Sequence, residues 1–147
     1  MIPVEKSKFN VDNIFVLHFL FEIVPPESES QPIVLEELPV AFDYDILKTE
    51  DKRFRIILKT EVNRDKKTPG YFFYVALDSF FSFDNVEQMG DEEINKYLLF
   101  SGLPMLINSI RCHLMDISSK SVFGKYVLPA IDTVALVTKK QKEHVGS

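Results

Sequence analysis

The chain has 147 residues, of which 46% are hydrophobic, and these values fit a single domain that spans residues 1–147 around one core. Its net charge of −5 argues against non-specific nucleic-acid binding, which needs clustered Lys and Arg. Cys112 is the only cysteine, so an internal disulfide and a Cys-based metal site are excluded. The lone thiol predicts a reducing, cytoplasmic location, and its apolar neighbours predict that it is packed on a helix.

We expect neither a signal peptide nor insertion into a membrane. The N-terminal residues 1–9 lack the apolar core of a signal peptide, and the longest apolar run, residues 14–21, is far shorter than a membrane span. The aromatic composition is uneven, with 13 Phe, 5 Tyr and no Trp. Because Phe buries a large apolar area without a polar group, this indicates a Phe-rich core or a surface that contacts apolar partners.

The N-terminal part of the chain predicts four strands. Residues 14–24 are β-branched and aromatic, and they end at a Pro-Pro pair that begins a polar loop over 25–32. The second strand lies within residues 33–48, and the third is predicted over 53–62. The fourth, over 71–83, is apolar on both faces, a pattern typical of a strand that is covered on both sides.

The second strand contains a clear alternation of apolar and acidic residues. Phe42, Tyr44 and Ile46 share one face, whereas Asp43 and Asp45 share the other. Pro39 precedes this run and predicts a bent or edge strand, because proline cannot donate a hydrogen bond to a neighbouring strand. Two carboxylates could act as acid and base, but no third polar group accompanies them, which favours a solvated strand face.

The C-terminal part of the chain predicts helices. Asp91 can cap a helix whose apolar stripe is formed by Leu103, Leu106, Ile110, Leu114 and Ile117. Pro104 lies inside this span and should kink the helix or divide it in two. Asp132 could cap a short helix over 133–141. Four sequential strands followed by helices predict an α+β fold, a four-stranded antiparallel sheet with a long helix and a short C-terminal helix.

The residues that could support catalysis are sparse, so we do not expect an enzyme. His18 lies on an apolar strand, where a structural role is more common than that of a base. His113 is next to Cys112, but helical neighbours point about 100° apart and do not form a nucleophile–base pair. The chain contains no Gly-rich phosphate loop, HExxH or GxSxG motif. We therefore expect no cofactor and no metal.

The excess of apolar residues is the most informative feature of the sequence. The fourth strand is apolar on both faces, and residues 122–137 are almost uncharged around one Gly and one Pro. One sheet and one long helix cannot easily cover all of this surface. The excess therefore predicts an obligate oligomer, and it also allows an apolar groove that binds extended chains.

Short motifs along nearly the whole chain resemble the SecB family of protein-export chaperones. That family has "FEAP" after its first strand, and this chain has FEIVPP at 21–26. Its "LDLD" corresponds to FDYD at 42–45, and its "IFSI" corresponds to FFSF at 80–83. The helix break of the family resembles residues 102–104, and the stretch that follows contains Arg111. Each motif is weak by itself, but their order and spacing are moderately specific.

The end of the chain extends this resemblance. Phe123 is followed by a Leu-Pro turn at 128–129 and by residues 131–136, which resemble the closing "NFDAL" of the family but lack its Phe. In that family the Leu-Pro loop folds the last helix back beside the sheet, where it borders a peptide-binding groove. The resemblance implies that the apolar stretch 122–137 is both a hinge and a groove wall.

The resemblance implies a specific function. SecB-like proteins are cytoplasmic homotetramers, dimers of dimers with long helices between two sheets, and they act as holdases for unfolded or precursor polypeptides without ATP. The groove residues carried over to this sequence are Leu38, Phe42, Tyr44, Val134 and Leu136. Several weak apolar contacts along one groove would add avidity at low specificity.

Docking to the SecA motor uses acidic residues on the outer sheet in that family. Glu22 matches one of these acids, but His18 and Tyr74 stand where two others are expected. This departure leaves open a dedicated adaptor or chaperone for one partner, such as an antitoxin. A carrier of a small apolar ligand, held between the helix and a curved sheet, is a further alternative.

Overall fold

The computed structural model describes residues 1–145 and the side chains of residues 1–143. Four strands come first, followed by a long helical segment and a C-terminal helix. In chain order the elements are β1 (Phe9–Val24), β2 (Val40–Lys48), β3 (Phe54–Val62), β4 (Gly70–Phe83), α1 (Asp91–Tyr97), α2 (Leu103–Ser118) and α3 (Thr133–Val145). Short 3₁₀ turns at Leu35–Glu37 and Val86–Gln88 complete the connections. The predicted α+β class and element order are confirmed, with β1 beginning five residues before the predicted 14–24.

The sheet is antiparallel with the strand order β1-β4-β3-β2. Consecutive strands β2, β3 and β4 are neighbours, and the long polar crossing after β1 places that strand on the other side of β4. The edge strands are therefore β1 and β2, as the proline before β2 predicts for that strand. Two register shifts interrupt the pairing of β1 with β4, between Val11 and Asn13 and between Val16 and His18.

Helices cover only one face of the sheet. The inner face of the two central strands carries the fully buried side chains Ile56, Leu58, Tyr71, Phe73 and Phe81. Leu103, Leu106, Ile110 and Leu114 of α2 complete this core, as their spacing of three and four residues predicts. On the outer face no helix among residues 1–145 covers β4. Long side chains of the neighbouring strands nevertheless shield the outer-face side chains of β4. For example, Arg55 of β3 pairs with the buried Asp78 of β4.

The predicted break at Pro104 takes the form of a π-helical turn. Residues Leu98–Gly102 are π-helical between α1 and α2, and the helix continues without interruption through Asp91–Ser118. A Cβ added to Gly102 would lie 3.2 Å from Phe9 and 3.3 Å from Ile56, so glycine allows the helix to approach the sheet closely here. By length and composition this helix could also cross a membrane. Its apolar stripe packs against the sheet, as in the core helix of a folded domain.

The chain between α2 and α3 is fixed to the body of the protein. The Tyr71 hydroxyl donates to the Gly124 carbonyl oxygen at 2.7 Å and accepts from the Phe123 amide at 3.0 Å. The amide of Tyr126 donates to the Ser118 hydroxyl at 2.8 Å, and Tyr126 itself is 1% exposed. These hydrogen bonds therefore hold residues 119–128, the connection between α2 and α3, against the rest of the domain.

The outward side of the long helix carries Cys112 and two exposed apolar side chains. Cys112 is exposed, so the prediction of a packed thiol is wrong for the single chain. The reason is its helical phase: Ile110 and Leu114 face the sheet, and a residue between them points away. Phe100 and Met105, exposed by 45% and 43%, lie on this outward side as well. The outward side of the helix is thus partly apolar.

Candidate functional site

The apolar row of β2 lies on the inner face of the sheet, at its edge. The strand register pairs Phe42 with Thr60 and Tyr44 with Leu58. Thr60 and Leu58 are fully buried on the inner face, so Phe42 and Tyr44 point to that face as well. Because β2 is an edge strand, only β3 lies beside this row within the sheet. The helix α3 lies on its open side, and between them is a shallow cleft lined by Phe42, Asp43, Tyr44, Leu136, Lys139, Lys140 and Glu143.

The Asp132 cap sets the start of α3. Its carboxylate accepts a hydrogen bond from the Ala135 amide at 2.9 Å, which confirms the predicted cap. Arg111 of α2 fixes the turn just before this cap, because its guanidinium donates to the carbonyl oxygens of Leu128 and Pro129, each at 3.0 Å. The helix then brings Leu136 half-buried against the core and Val137 into it. These contacts place α3 beside β2.

Lys140 connects α3 to β2 at the rim of the cleft. Its ammonium forms an ion pair with Asp43, and it lies 5.6 Å from the centroid of the Tyr44 ring. Only 18% of the Lys140 side chain is exposed. Burial tends to raise the pKa of Asp43, but the hydrogen bond and charge of Lys140 outweigh it and lower that pKa overall. The same hydrogen bond raises the pKa of Lys140.

The five predicted groove residues differ in how accessible they are. Phe42 and Leu136 are half-buried and face the cleft, whereas Val134 is 62% exposed on α3. Tyr44 is 6% exposed beneath Lys140, and Leu38 is 4% exposed. Leu38 packs next to Gly70, where an added Cβ would lie 3.3 Å from a Leu38 methyl group. In this arrangement, Phe42 and Leu136 are the predicted groove residues that a ligand in the cleft can contact.

The outer face of the sheet holds the residues that the resemblance connects with a motor protein. His18, Glu22 and Tyr74 all point to this face by register, and the rings of His18 and Tyr74 lie 5.4 Å apart at 71°. Glu22 forms an ion pair with Lys66 at 2.7 Å. The Lys66 ammonium also lies 4.7 Å from the Phe72 ring centroid. Around Glu22 this face therefore carries the rings of His18, Phe72 and Tyr74, and the Glu22 carboxylate is partly neutralised by Lys66.

Sequence reasoning missed the role of Lys140, since the run 139–142 resembles a solvated tail. Its partner Asp43 lies 97 residues earlier, and no local pattern connects the two. The spacing of Leu136 and Lys140, one helical turn apart, would have placed both on the same side of α3.

Within the part of the chain that is described, no group of three or more His, Cys, Asp or Glu could hold a metal ion.

Comparisons with known proteins give a structural match but no sequence match. No protein-family model matches the chain, and no curated protein matches it by sequence. The structure is similar to that of the Mycobacterium tuberculosis SecB-like chaperone Rv1957, solved in complex with a ChAD peptide from the HigA1 antitoxin Rv1956. That match has a TM-score of 0.60 and 12% identity, and it covers 85% of this chain and 91% of the other.

A second similar structure is a protein of unknown function from Streptococcus agalactiae. It has a TM-score of 0.50 and 9% identity, and the match covers 86% of this chain and 100% of the other. Both identities are low, so the likeness concerns the fold and not the individual site residues. The domain therefore has a SecB-like fold, with a sequence that has diverged far from these two structures.

Proposed function

We propose that this protein is an ATP-independent holdase that binds unfolded or precursor polypeptides in the cytoplasm, in the service of protein export. The observation that carries the proposal is the half-open apolar row of β2 beside α3, on a SecB-like fold. An extended chain would bury apolar side chains against Phe42 and Leu136. Each large side chain that becomes well buried contributes about 1.5–3 kcal/mol, so a few contacts suffice for binding without nucleotide.

The structural comparison supports polypeptide binding as the type of function. The similar Mycobacterium tuberculosis chaperone was solved with a peptide from an antitoxin, so a SecB-like fold is able to bind a peptide segment. The cleft of this chain is shallow and its rim carries both signs of charge. A surface of this kind supports low-specificity binding of extended apolar segments rather than recognition of one small ligand.

The proposal includes a homotetramer, built as a dimer of dimers. The edge strand β1 has 16 residues and exposes apolar side chains along both faces: Val11, Ile14, Phe15, Val16, Leu17, Leu20 and Ile23. Exposed, long, apolar edge strands are uncommon in monomers because they pair with other chains. Phe100 and Met105 add an apolar strip on the outward side of the helix. Together these surfaces support association through β1 and the long helix.

Light scattering of the pure protein, with and without a chemically unfolded protein, tests this proposal. A species of about 68 kDa, four times the 17.0 kDa chain, is expected. It should take up the unfolded protein and ignore the native form of the same protein. A monomer that is indifferent to unfolded chains would contradict both the assembly and the holdase function.

A dedicated adaptor for one partner is the second candidate, and the outer sheet face favours it. Positions 18 and 74 are His and Tyr, and Glu22 is paired with Lys66, so the acidic surface expected for SecA docking is reduced. If Glu22 takes part in SecA docking, Glu22→Gln should weaken SecA binding, whereas Glu27→Gln in the crossing loop should not. Absence of any SecA binding by the unaltered protein, with a single partner in a pull-down from its host, would favour the adaptor.

A carrier of a small apolar ligand is less well supported. Such a carrier needs an internal space between helix and sheet. Here Leu103, Leu106 and Ile110 pack fully buried against the sheet, and Gly102 brings the helix into contact range of Phe9. Native mass spectrometry of the purified protein that showed a bound lipid would revive this candidate.

A further inference from the structure

We infer that residues 1–7 of one copy of this protein pack along the outward side of the long helix of a second copy. The inference rests on the homotetramer proposed above and names a segment that helps to hold it together. It follows from three features of the described residues: an apolar segment that its own chain leaves uncovered, an apolar strip on the helix next to the base of that segment, and a match in length and charge between the two.

Residues 1–7, which we call the N-terminal arm, lie outside the core of their own chain. Met1, Ile2 and Val4 are each at least 90% exposed, and no other large apolar side chain within residues 1–143 is as exposed as these three. Single exposed apolar residues are common on folded proteins, but a cluster of them marks a contact with another molecule. The arm therefore needs a partner surface that is itself apolar.

The base of the arm is held in place at the start of the helix. The chain bends at Lys8, whose ammonium pairs with Glu93 of α1 at 2.5 Å. The Phe9 amide donates to the Ser7 hydroxyl at 3.1 Å, and the Phe9 ring stacks on Phe81 with the centroids 5.0 Å apart. Because its base is fixed in this way, the arm leaves the domain at a defined point beside the helix.

The apolar strip on the helix begins near the same point. Phe100 and Met105 are exposed on the outward side, and an open cavity of about 340 Å³ lies nearer the start of the helix. This cavity is lined by Glu93, Lys96, Tyr97 and Ser101. When the long helices of two copies face each other, their outward sides meet. An arm that starts at the edge of one strip then also starts at the edge of the other.

The arm and the strip match in length. From Glu93 to Met105 the helix rises roughly 18 Å at about 1.5 Å per residue. Seven extended residues span roughly 23 Å, so the arm can cover the whole strip. The strip of its own chain is not the partner, because Ile2 and Val4 stay exposed although the base of the arm already contacts Glu93. The partner is therefore the equivalent strip of a second copy.

The charges of the arm and of the helix start support the same pairing. Lys6 is exposed and forms no ion pair within residues 1–143, and the same holds for Asp91 and Glu92 in the first turn of α1. Lys8 and Glu93 already form such a pair within one chain. An arm of a second copy brings Lys6 to this acidic turn while its apolar side chains lie on the strip.

Sedimentation velocity over a dilution series measures the first consequence. The double variant Ile2→Ser with Val4→Ser should weaken self-association about tenfold or more, because both side chains become buried by the second copy. Val122→Ser with Val127→Ser, at two exposed valines between α2 and α3, is the matched control and should change it by less than about twofold. All four side chains are exposed in the single chain, so both double variants should fold, as circular dichroism can verify.

Cross-linking measures whether the arm lies on the second copy. Val4→Cys and Met105→Cys, each combined with Cys112→Ser, carry one thiol per chain, so a short bismaleimide joins them only between copies. A mixture of the two proteins, made distinguishable by tags of different mass, should give the mixed cross-linked dimer. A mixture of Val4→Cys with Val122→Cys in the same background should not, because Val122 lies outside the helix.

The outcomes separate this inference from the proposed function. Self-association of the Ile2→Ser, Val4→Ser protein equal to that of the unaltered protein would overturn the inference, and so would absence of the mixed product. An unaltered protein that is monomeric would overturn it together with the proposed tetramer. An assembled protein that gives the mixed product but does not bind a reduced, carboxymethylated protein would support the arm contact and contradict the proposed holdase function.

Discussion

The Arg111 side chain on α2 holds the Leu128 carbonyl oxygen at 3.0 Å, and this bond fixes where the chain turns toward α3. A second bond reaches the Pro129 carbonyl, also at 3.0 Å. The arginine thus stabilises the Leu-Pro turn that leads to the cleft. The sequence pattern predicts that Arg111 lies in the helix after the break, but its partners lie 17 and 18 residues away.

The first prediction concerns this anchor. Arg111→Gln should lower the free energy of unfolding by about 1–3 kcal/mol, because it leaves two carbonyl oxygens without their charged donor. Urea denaturation measures the change. Arg64→Gln, at an arginine that is 81% exposed, is the control and should change stability by less than about 0.5 kcal/mol. Equal losses in both variants would contradict the anchoring role.

The second prediction concerns the π-helical turn. Gly102→Val should destabilise the fold by about 1–3 kcal/mol, since the new side chain would meet Phe9, Ile56 and Phe81 within 3.4 Å of its Cβ. Lys96→Val puts the same side chain on the exposed side of α1 and should cost no more than about 0.5 kcal/mol. Thermal unfolding of both variants measures the difference. A Gly102→Val protein as stable as the control would show that the helix can shift away from the sheet.

The third prediction concerns Tyr126 at high pH. Burial raises the pKa of Tyr126 to about 12, and no hydrogen-bond partner for its hydroxyl lies among the described residues. The unfolded chain releases this proton near pH 10, whereas the folded chain retains it up to about pH 12. Stability contributed by the neutral phenol is therefore complete below pH 10 and is lost as the pH rises through 10 to 12.

Tyr126→Phe separates this effect from that of the other tyrosines. The variant removes a buried hydroxyl without a partner, so its stability at pH 7 should be equal to or slightly above that of the unaltered protein. Between pH 9 and pH 11 it should lose less stability, as measured by denaturant midpoints. A loss as steep as that of the unaltered protein would show that Tyr126 does not titrate differently in the two states.

The fourth prediction compares the two faces of β2. Phe42→Ser should weaken binding of an unfolded protein about tenfold or more, because Phe42 faces the cleft and would be buried by the client. Leu47→Ser is matched to it on the same strand, but Leu47 points to the outer face and is 46% exposed. Fluorescence titration with a labelled unfolded chain measures both affinities. Equal losses of affinity in the two variants would show that the unfolded chain does not bind specifically in the cleft.

Local sequence patterns were sufficient for the elements of this fold. Alternation placed Phe42, Tyr44 and Ile46 on one side of β2, and Pro39 indicated that the strand lies at an edge. The carboxylate of Asp132 caps α3 as its position predicts. These features depend on neighbours within a few residues, so short-range periodicity and the Asp132 cap were predictable. The predicted Asp91 cap is wrong: Gly90 is the N-cap of α1, without a side-chain hydrogen bond, and Asp91 is the first residue of the helix.

Long-range contacts decided what the local patterns left open. Alternation cannot say that Lys140 lies over the Tyr44 ring and pairs with Asp43 across 97 residues, or that Cys112 lies on the outward side of the helix. Each depends on where a separate element packs, which is set by the summed burial of the whole core. By itself the sequence determined the strands, the helices and the apolar rows. The tertiary structure alone decided which row is open and which charged pair lies at its rim, because burial is a property of neighbours that are distant in the chain.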